Sequence, residues 1–116
     1  MVRSGIGKLK PSRAAPLFAA LGDETRLRIV SRLCREGPLS LARFSEGASI
    51  SRQAVTKHLN ALSDAGIIAG ERNGRMCLWR LQTARLAEVR RYLDEISAQW
   101  DEAVIRLRAF VENDEN

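Results

Sequence analysis

Ser51-Arg52-Gln53-Ala54-Val55-Thr56-Lys57-His58-Leu59-Asn60-Ala61-Leu62 is the stretch on which the fold turns. Ser51 stands where a helix N-cap belongs, since its hydroxyl can accept from an amide two or three residues on. At about 100° per residue, Arg52, Gln53, Thr56, Lys57 and Asn60 share an arc of about 140°. Val55, Leu59 and Leu62 fall opposite, with His58 flanking them. One face of the helix over 51–65 therefore packs, and the other presents basic and amide groups with no acid among them. Arg can bond guanine O6/N7 in bidentate fashion, and Gln can do the same to adenine N6/N7. Lys57, Thr56 and the Ser51 end suit phosphates, because free amides and the helix dipole favour anions there.

Upstream, the turn Gly47-Ala48-Ser49-Ile50 joins this helix to a short one capped by Ser40 and carrying Leu41 and Phe44. Two helices joined by a tight Gly-containing turn form a helix-turn-helix unit. Before it, Asp23 caps a helix with a stripe of Leu27, Val30, Leu33 and Cys34, stopped at Gly37-Pro38. A first helix opens near Pro11, carries Leu17, Phe18 and Leu21, and ends at Gly22. Downstream of Gly66 the apolar period changes from 3.6 to 2. Asn73-Gly74 is a two-residue hairpin signal. Counting outward from it pairs Arg72 with Arg75, Gly70 with Cys77, and Ile68 with Trp79. The ribbon's inner face then holds Ile68, Cys77, Trp79 and Leu81, and two arginines face each other at the tip. Arg72, Asn73, Gly74 and Arg75 at the tip of this ribbon (67–81) suit contact with phosphate.

From Thr83 to about Val111 the pattern predicts one long helix. Leu86, Val89, Leu93, Ile96, Trp100, Ala103, Leu107 and Phe110 are spaced 3, 4, 3, 4, 3, 4, 3. So strict a seam implies burial against a partner helix, most economically the symmetry mate.

The 116 residues suffice for one domain, with 45% hydrophobic and 28% charged residues in an ordinary globular balance. The net charge of +5 divides unevenly. Residues 1–60 hold eleven basic and four acidic residues, a net +7, and residues 61–116 hold eight and ten, a net −2. Residues 1–13, with Arg3, Lys8, Lys10 and Arg13 and no acid, are expected to form a basic flexible arm. The folded domain is expected over 14–111, followed by an acidic tail at 112–116. No apolar run approaches the ~20 residues a membrane span needs, and the N-terminus lacks the apolar stretch of a secretory signal. Two distant cysteines make no disulfide framework, so a reducing cytoplasm is the expected compartment. One His, no acid pair at catalytic spacing and no hydroxyl–His constellation argue against an enzyme. A winged-helix protein-interaction module is the rival to specific DNA binding.

The chain resembles the ArsR-type winged helix-turn-helix regulators over about residues 14–111. The residues carrying this are Leu21-Gly22-Asp23-Glu24-Thr25-Arg26-Leu27-Arg28-Ile29-Val30, Gly37-Pro38-Leu39-Ser40, the 50–62 stretch, Gly66-Ile67-Ile68 and Arg72-Asn73-Gly74-Arg75. The resemblance implies a mainly α fold with a small β-hairpin: five helices plus a two-stranded wing. It implies a homodimer through the first and last helices, placing Leu17 beside Leu86, Val89, Leu93, Ile96, Trp100, Leu107 and Phe110 at the interface. It further implies a repressor on a palindromic, inverted-repeat operator in double-stranded DNA, with helix 51–65 in the major groove and the wing on the backbone. Relief by a small-molecule inducer, often a metal or metalloid, is also implied. The family's metalloid sensors place a Cys-x-Cys pair before the recognition helix, and residues 39–46 contain no cysteine. Its zinc sensors place Asp and His ligands on the last helix, which here has no His. No metal or cofactor is therefore expected; His58 is read as a core-edge residue, and Cys34 and Cys77 as small core residues.

Overall fold

The computed structural model describes residues 10–114. The elements run α1 (Pro11–Leu21), α2 (Glu24–Glu36), β1 (Leu39–Ser40), α3 (Leu41–Ser45), α4 (Arg52–Asp64), β2 (Ile68–Asn73), β3 (Met76–Leu81) and α5 (Thr83–Asp114). Five helices and a wing are thus present. The arm expected at 1–13 loses its last residues to structure: Lys10 is the N-cap of α1, and Pro11 starts the helix with its fixed φ. Residues 1–9 lie outside the described residues, as do 115 and 116. Residues 112–114, expected in an acidic tail, are the last turn of α5.

Local chemistry accounts for the helix starts. The Asp23 carboxylate accepts from the Arg26 amide at 3.0 Å, the Ser40 hydroxyl from Arg43 at 3.2 Å, and the Ser51 hydroxyl from Ala54 at 3.1 Å. Gly37, at φ 82°, ends α2 in a conformation that side chains rarely adopt.

The core gathers Leu17 and Ala20 of α1, Ile29 and Leu33 of α2, Phe44 of α3, and Val55, Leu59 and Leu62 of α4, with Ile67, Ile68 and Val89. Two expectations fail here. On α2 the buried stripe is Ile29 and Leu33, whereas Leu27 is 51% exposed and Cys34 is an exposed free thiol. The helix carries apolar residues on two faces, and periodicity alone does not say which one the core takes. Leu17 and Val89, expected at the dimer interface, are only 3% and 8% exposed, and Leu86 packs against the same core. They hold α1 and the start of α5 to their own protomer.

The sheet has three strands in the order β1-β3-β2, one more than expected. Leu39 pairs with Trp79 and Ser40 with Leu78, a two-residue bridge too short to leave a pattern in the sequence. The hairpin register also differs from the count made outward from Asn73-Gly74. Asn73 pairs with Met76, Arg72 with Cys77, Gly70 with Trp79 and Ile68 with Leu81. The turn is therefore centred on Gly74-Arg75, with Gly74 at φ 68° and no other residue type at positive φ among those described. One positive φ, at the first central position, is the requirement of a type II′ turn, whereas Asn-Gly in a type I′ turn needs two. A shift of two in the pairing leaves each residue on its face, so Ile68, Cys77, Trp79 and Leu81 still face inward. It removes the opposed arginine pair. Gly70 is needed where it stands: a Cβ there would lie 2.9 Å from Cys77 Sγ and 3.2 Å from the Trp79 ring.

Candidate nucleic-acid interface

Val55, Leu59 and Leu62 anchor α4 to the core, which fixes the opposite face outward. Ser51, Arg52, Gln53, Lys57 and Asn60 are all exposed on it. Thr56 is half-buried, and its hydroxyl donates to the Arg52 carbonyl at 3.0 Å, so its contact with a ligand would be through the remaining oxygen lone pair and methyl. β2 begins just past α4 and packs against it, carrying Arg72, Asn73, Gly74 and Arg75 outward, all exposed.

Ion pairing neutralises several of the arginines elsewhere in the head. Arg28 pairs with Glu24 at 2.9 Å, Arg32 with Glu36 at 2.8 Å, Arg43 with Glu46 at 2.7 Å, Arg80 with Glu71 at 3.3 Å and Arg85 with Glu88 at 2.7 Å. Among the described residues, Arg52 and Lys57 of α4 and Arg72 and Arg75 of the wing have no carboxylate partner. Unpaired cations on the outer face of α4 and on the wing keep their full attraction for an external anion.

Two polar clusters position α4. Arg26 Nε donates to the Ala20 carbonyl at 2.6 Å and Nη2 to Ala19 at 3.3 Å, satisfying the open C-terminal end of α1. Its Nη1 donates to His58 Nδ1 at 3.2 Å, so one guanidinium joins α1, α2 and α4. His58 is at the core edge, as expected, with Asp23 Oδ1 3.9 Å away. The amide of Arg26 holds the Asp23 carboxyl below its ordinary range; partial burial opposes this, and the Arg26 charge adds to it. At the other end of α4, Gly66 at φ 80° lies under the Arg85 side chain. Arg85 and Arg13 flank Glu88. Burial pushes that carboxyl up, but the Arg13 hydrogen bond and the two arginine charges outweigh it, and the net shift is downward. Arg26 was not among the sequence candidates; its signal was its place three residues after the capping Asp23.

Among the described residues no three His, Cys, Asp or Glu side chains gather as a metal site would require, and no helix is long and apolar enough to cross a membrane. A cleft of about 310 Å³ opens beside the α3–α4 turn, walled by Thr25, Arg28, Ile29, Phe44, Ile50 and Val55.

A core-anchored helix with a basic outer face, preceded by a tight turn and followed by a basic wing, defines a winged helix-turn-helix DNA-binding protein. Comparison with known proteins narrows the class. Residues 21–71 match a family described as a helix-turn-helix domain. The solved ArsR-like transcriptional regulator from Rhodococcus sp. RHA1 superposes with a TM-score of 0.76 at 35% identity, over 85% of this chain and 92% of that one. The HTH-type transcriptional regulator Rv2034 of Mycobacterium tuberculosis is 36% identical over 84 residues, 72% of this chain and 75% of the relative. The HTH-type transcriptional repressor SmtB of the same organism is 32% identical over 91 residues, 78% of this chain and 65% of that one. The chain belongs to the ArsR-type family of winged helix-turn-helix transcriptional regulators.

Proposed function

We propose that the protein is a homodimeric repressor that binds an inverted-repeat operator, with α4 in the major groove of each half-site and the wing on the adjoining backbone. The observation that carries this is the gathering of four cations without carboxylate partners, Arg52, Lys57, Arg72 and Arg75, on the exposed face of α4 and on the wing. Arg52 and Gln53, in the first turn of α4, are the groups that read bases. Ser51, Thr56, Lys57 and Asn60 set the depth and register of the helix against phosphates, and Arg72, Asn73, Gly74 and Arg75 hold the flanking backbone. The dimer rests on the distal part of α5, where Leu93, Ile96, Trp100, Leu107 and Phe110 remain exposed in the protomer. Repression is the activity named for SmtB, and a dimer with two reading helices occupies a promoter as a unit.

The test is binding to an operator selected from random duplex DNA, measured by fluorescence anisotropy across salt. A dimer neutralising six to ten phosphates loses about 10³–10⁵ in affinity between 50 and 200 mM salt. Affinity flat in salt, or equal for operator and random duplex, would favour a protein-interaction module instead.

A further inference from the structure

The cleft of about 310 Å³ beside the α3–α4 turn has a lining that operator binding leaves unused. One wall is a single face of α2, where Arg28 and Arg32 stand one turn apart beside Ile29. The other wall is the end of α3 and the turn over 46–50. Ile29, Phe44 and Val55, at 4–6% exposure, form the floor, and Ile50, 37% exposed, is an apolar lip. We propose that this cleft binds a small organic anion, an apolar body carrying one carboxylate, and that its occupancy weakens operator binding. The second half rests on the operator-binding reading above and adds its control.

Arg32 supplies the anchor. Its Nε donates to Glu36 Oε2 at 2.8 Å, and its guanidinium lies over the Phe44 ring, 5.6 Å from the centroid. Arg43 donates to Glu36 at 3.2 Å and to Glu46 at 2.7 Å, so α2 and α3 fix the group between them. The Arg32 side chain is only 25% exposed, yet neither of its Nη nitrogens makes a hydrogen bond among the described residues. Two free donors on a rigid, part-buried fork match the two oxygens of a carboxylate. Arg28 is tied only to Glu24, in a pair whose side chains are 76% and 80% exposed. A pair so exposed contributes little, and the Arg28 side chain is free to turn toward an anion. Glu24 and Glu36 lie outside the cleft, and the one carboxylate at its rim, Glu46, is occupied by Arg43. An inorganic anion would use the guanidiniums and leave the apolar floor wet, whereas a neutral apolar molecule would leave the fork unmet. At 310 Å³ the cleft is at the small end of the usual range for small-molecule sites, about 300–1,000 Å³.

The turn that walls the cleft leads straight into Ser51, the cap of α4, and Arg52 and Gln53 follow. A carboxylate held by Arg32 adds negative charge on the side of the turn that precedes this end of α4, and that charge opposes the approach of a phosphate. The coupling is reciprocal: operator DNA weakens the anion by the same factor as the anion weakens the operator.

The test uses the full-length chain labelled with nitrogen-15 and 3-phenylpropionate as the probe, followed through the backbone amide signals. A probe of about eleven non-hydrogen atoms is expected to bind in roughly the millimolar range, with saturable shifts at Ile29, Ala48 and Ile50. 3-Phenylpropanamide, acetate and inorganic phosphate are each expected to bind about tenfold more weakly or worse, as is the probe to Arg32→Met. Since Arg32→Met also loses the Glu36 pair and can loosen α2 on α3, Ile50→Glu, which sets a like charge at the lip, supplies a second variant with the same expected loss. No saturable shift at these residues, equal binding of acetate or phosphate, or undiminished binding by both variants would overturn the site. Operator affinity, by anisotropy at constant ionic strength with acetate as the balancing salt, is expected to fall about fivefold or more at saturating probe. Saturable binding in the cleft with unchanged operator affinity would overturn the control. A chain that binds no operator without the probe would overturn the repressor reading and the control with it, while the amide shifts still decide the site.

Discussion

Replacing Arg26 by Met isolates the clamp that holds α4 against the end of α1. Met keeps most of the apolar stem and the backbone amide that the Asp23 cap needs, and removes only the guanidinium. Three contacts go: the 2.6 Å bond to Ala20, the 3.3 Å bond to Ala19 and the 3.2 Å contact to His58. A hydrogen bond from a charged donor contributes about 1.5–3 kcal/mol when well shielded. The Ala20 bond is short and half-buried and deserves most of that; the Ala19 bond is exposed and adds little. The expected loss is therefore about 2–4 kcal/mol, read from urea denaturation at fixed protein concentration. Arg35→Met is the control, because that guanidinium bonds only the Ser31 hydroxyl on the surface, and it should change stability by less than about 0.5 kcal/mol. Because His58 lies on α4, Arg26→Met should also weaken operator binding under conditions where the variant is fully folded. Equal stability of the Arg26 and Arg35 variants would refute the clamp.

Gln53→Ala and Arg52→Ala should each cost about 1–3 kcal/mol on the selected operator and much less on random duplex, by anisotropy; equal losses on both would contradict base reading. Leu93→Asp with Trp100→Asp should sediment as a monomer and lose operator binding, while circular dichroism still reports a folded head, since neither residue is in the core. Asp23 and Glu88 both have depressed carboxyl values in the folded chain, so their stabilisation is present above the ordinary carboxylate range and lost as pH falls through the folded values. Urea midpoints should accordingly drop below about pH 4, and Glu88→Gln should show a smaller drop with a lower starting stability.

The helix-turn-helix was legible because its signals are local: Asp23, Ser40 and Ser51 each cap by a hydroxyl or carboxylate three residues from its amide, and the apolar face of α4 follows directly from spacing. What was not legible depended on partners distant in the chain. Leu27 and Cys34 keep the helical period as well as Ile29 and Leu33 do, and only the position of α3 and α4 decides between them. Leu17 and Val89 fit an interface pattern, yet α1 and the head of α5 need them internally. The wing's turn moved by one residue because Asn73-Gly74 and Gly74-Arg75 both supply a glycine, and the pairing of Trp79 over Gly70 favours the second. For the residues proposed to face DNA, exposure followed from the outward face of α4, but their lack of carboxylate partners could be seen only once the glutamates were placed.

The divided stripe on α5 has a thermodynamic consequence. Leu86 and Val89, in the first part of that helix, pack in the protomer's own core, and its distal residues are the proposed association surface, yet both lie on one continuous hydrogen-bonded rod. Helix propagation carries order across that boundary, so a mate seated on Trp100 also steadies Leu86 and Val89, and through them α1 and the Arg26 clamp. Under the proposed dimer, folding and assembly are one mass-action equilibrium. In the proposed dimer the melting temperature is expected to rise with protein concentration, and operator DNA, by holding two heads together, is expected to protect the protomers against unfolding.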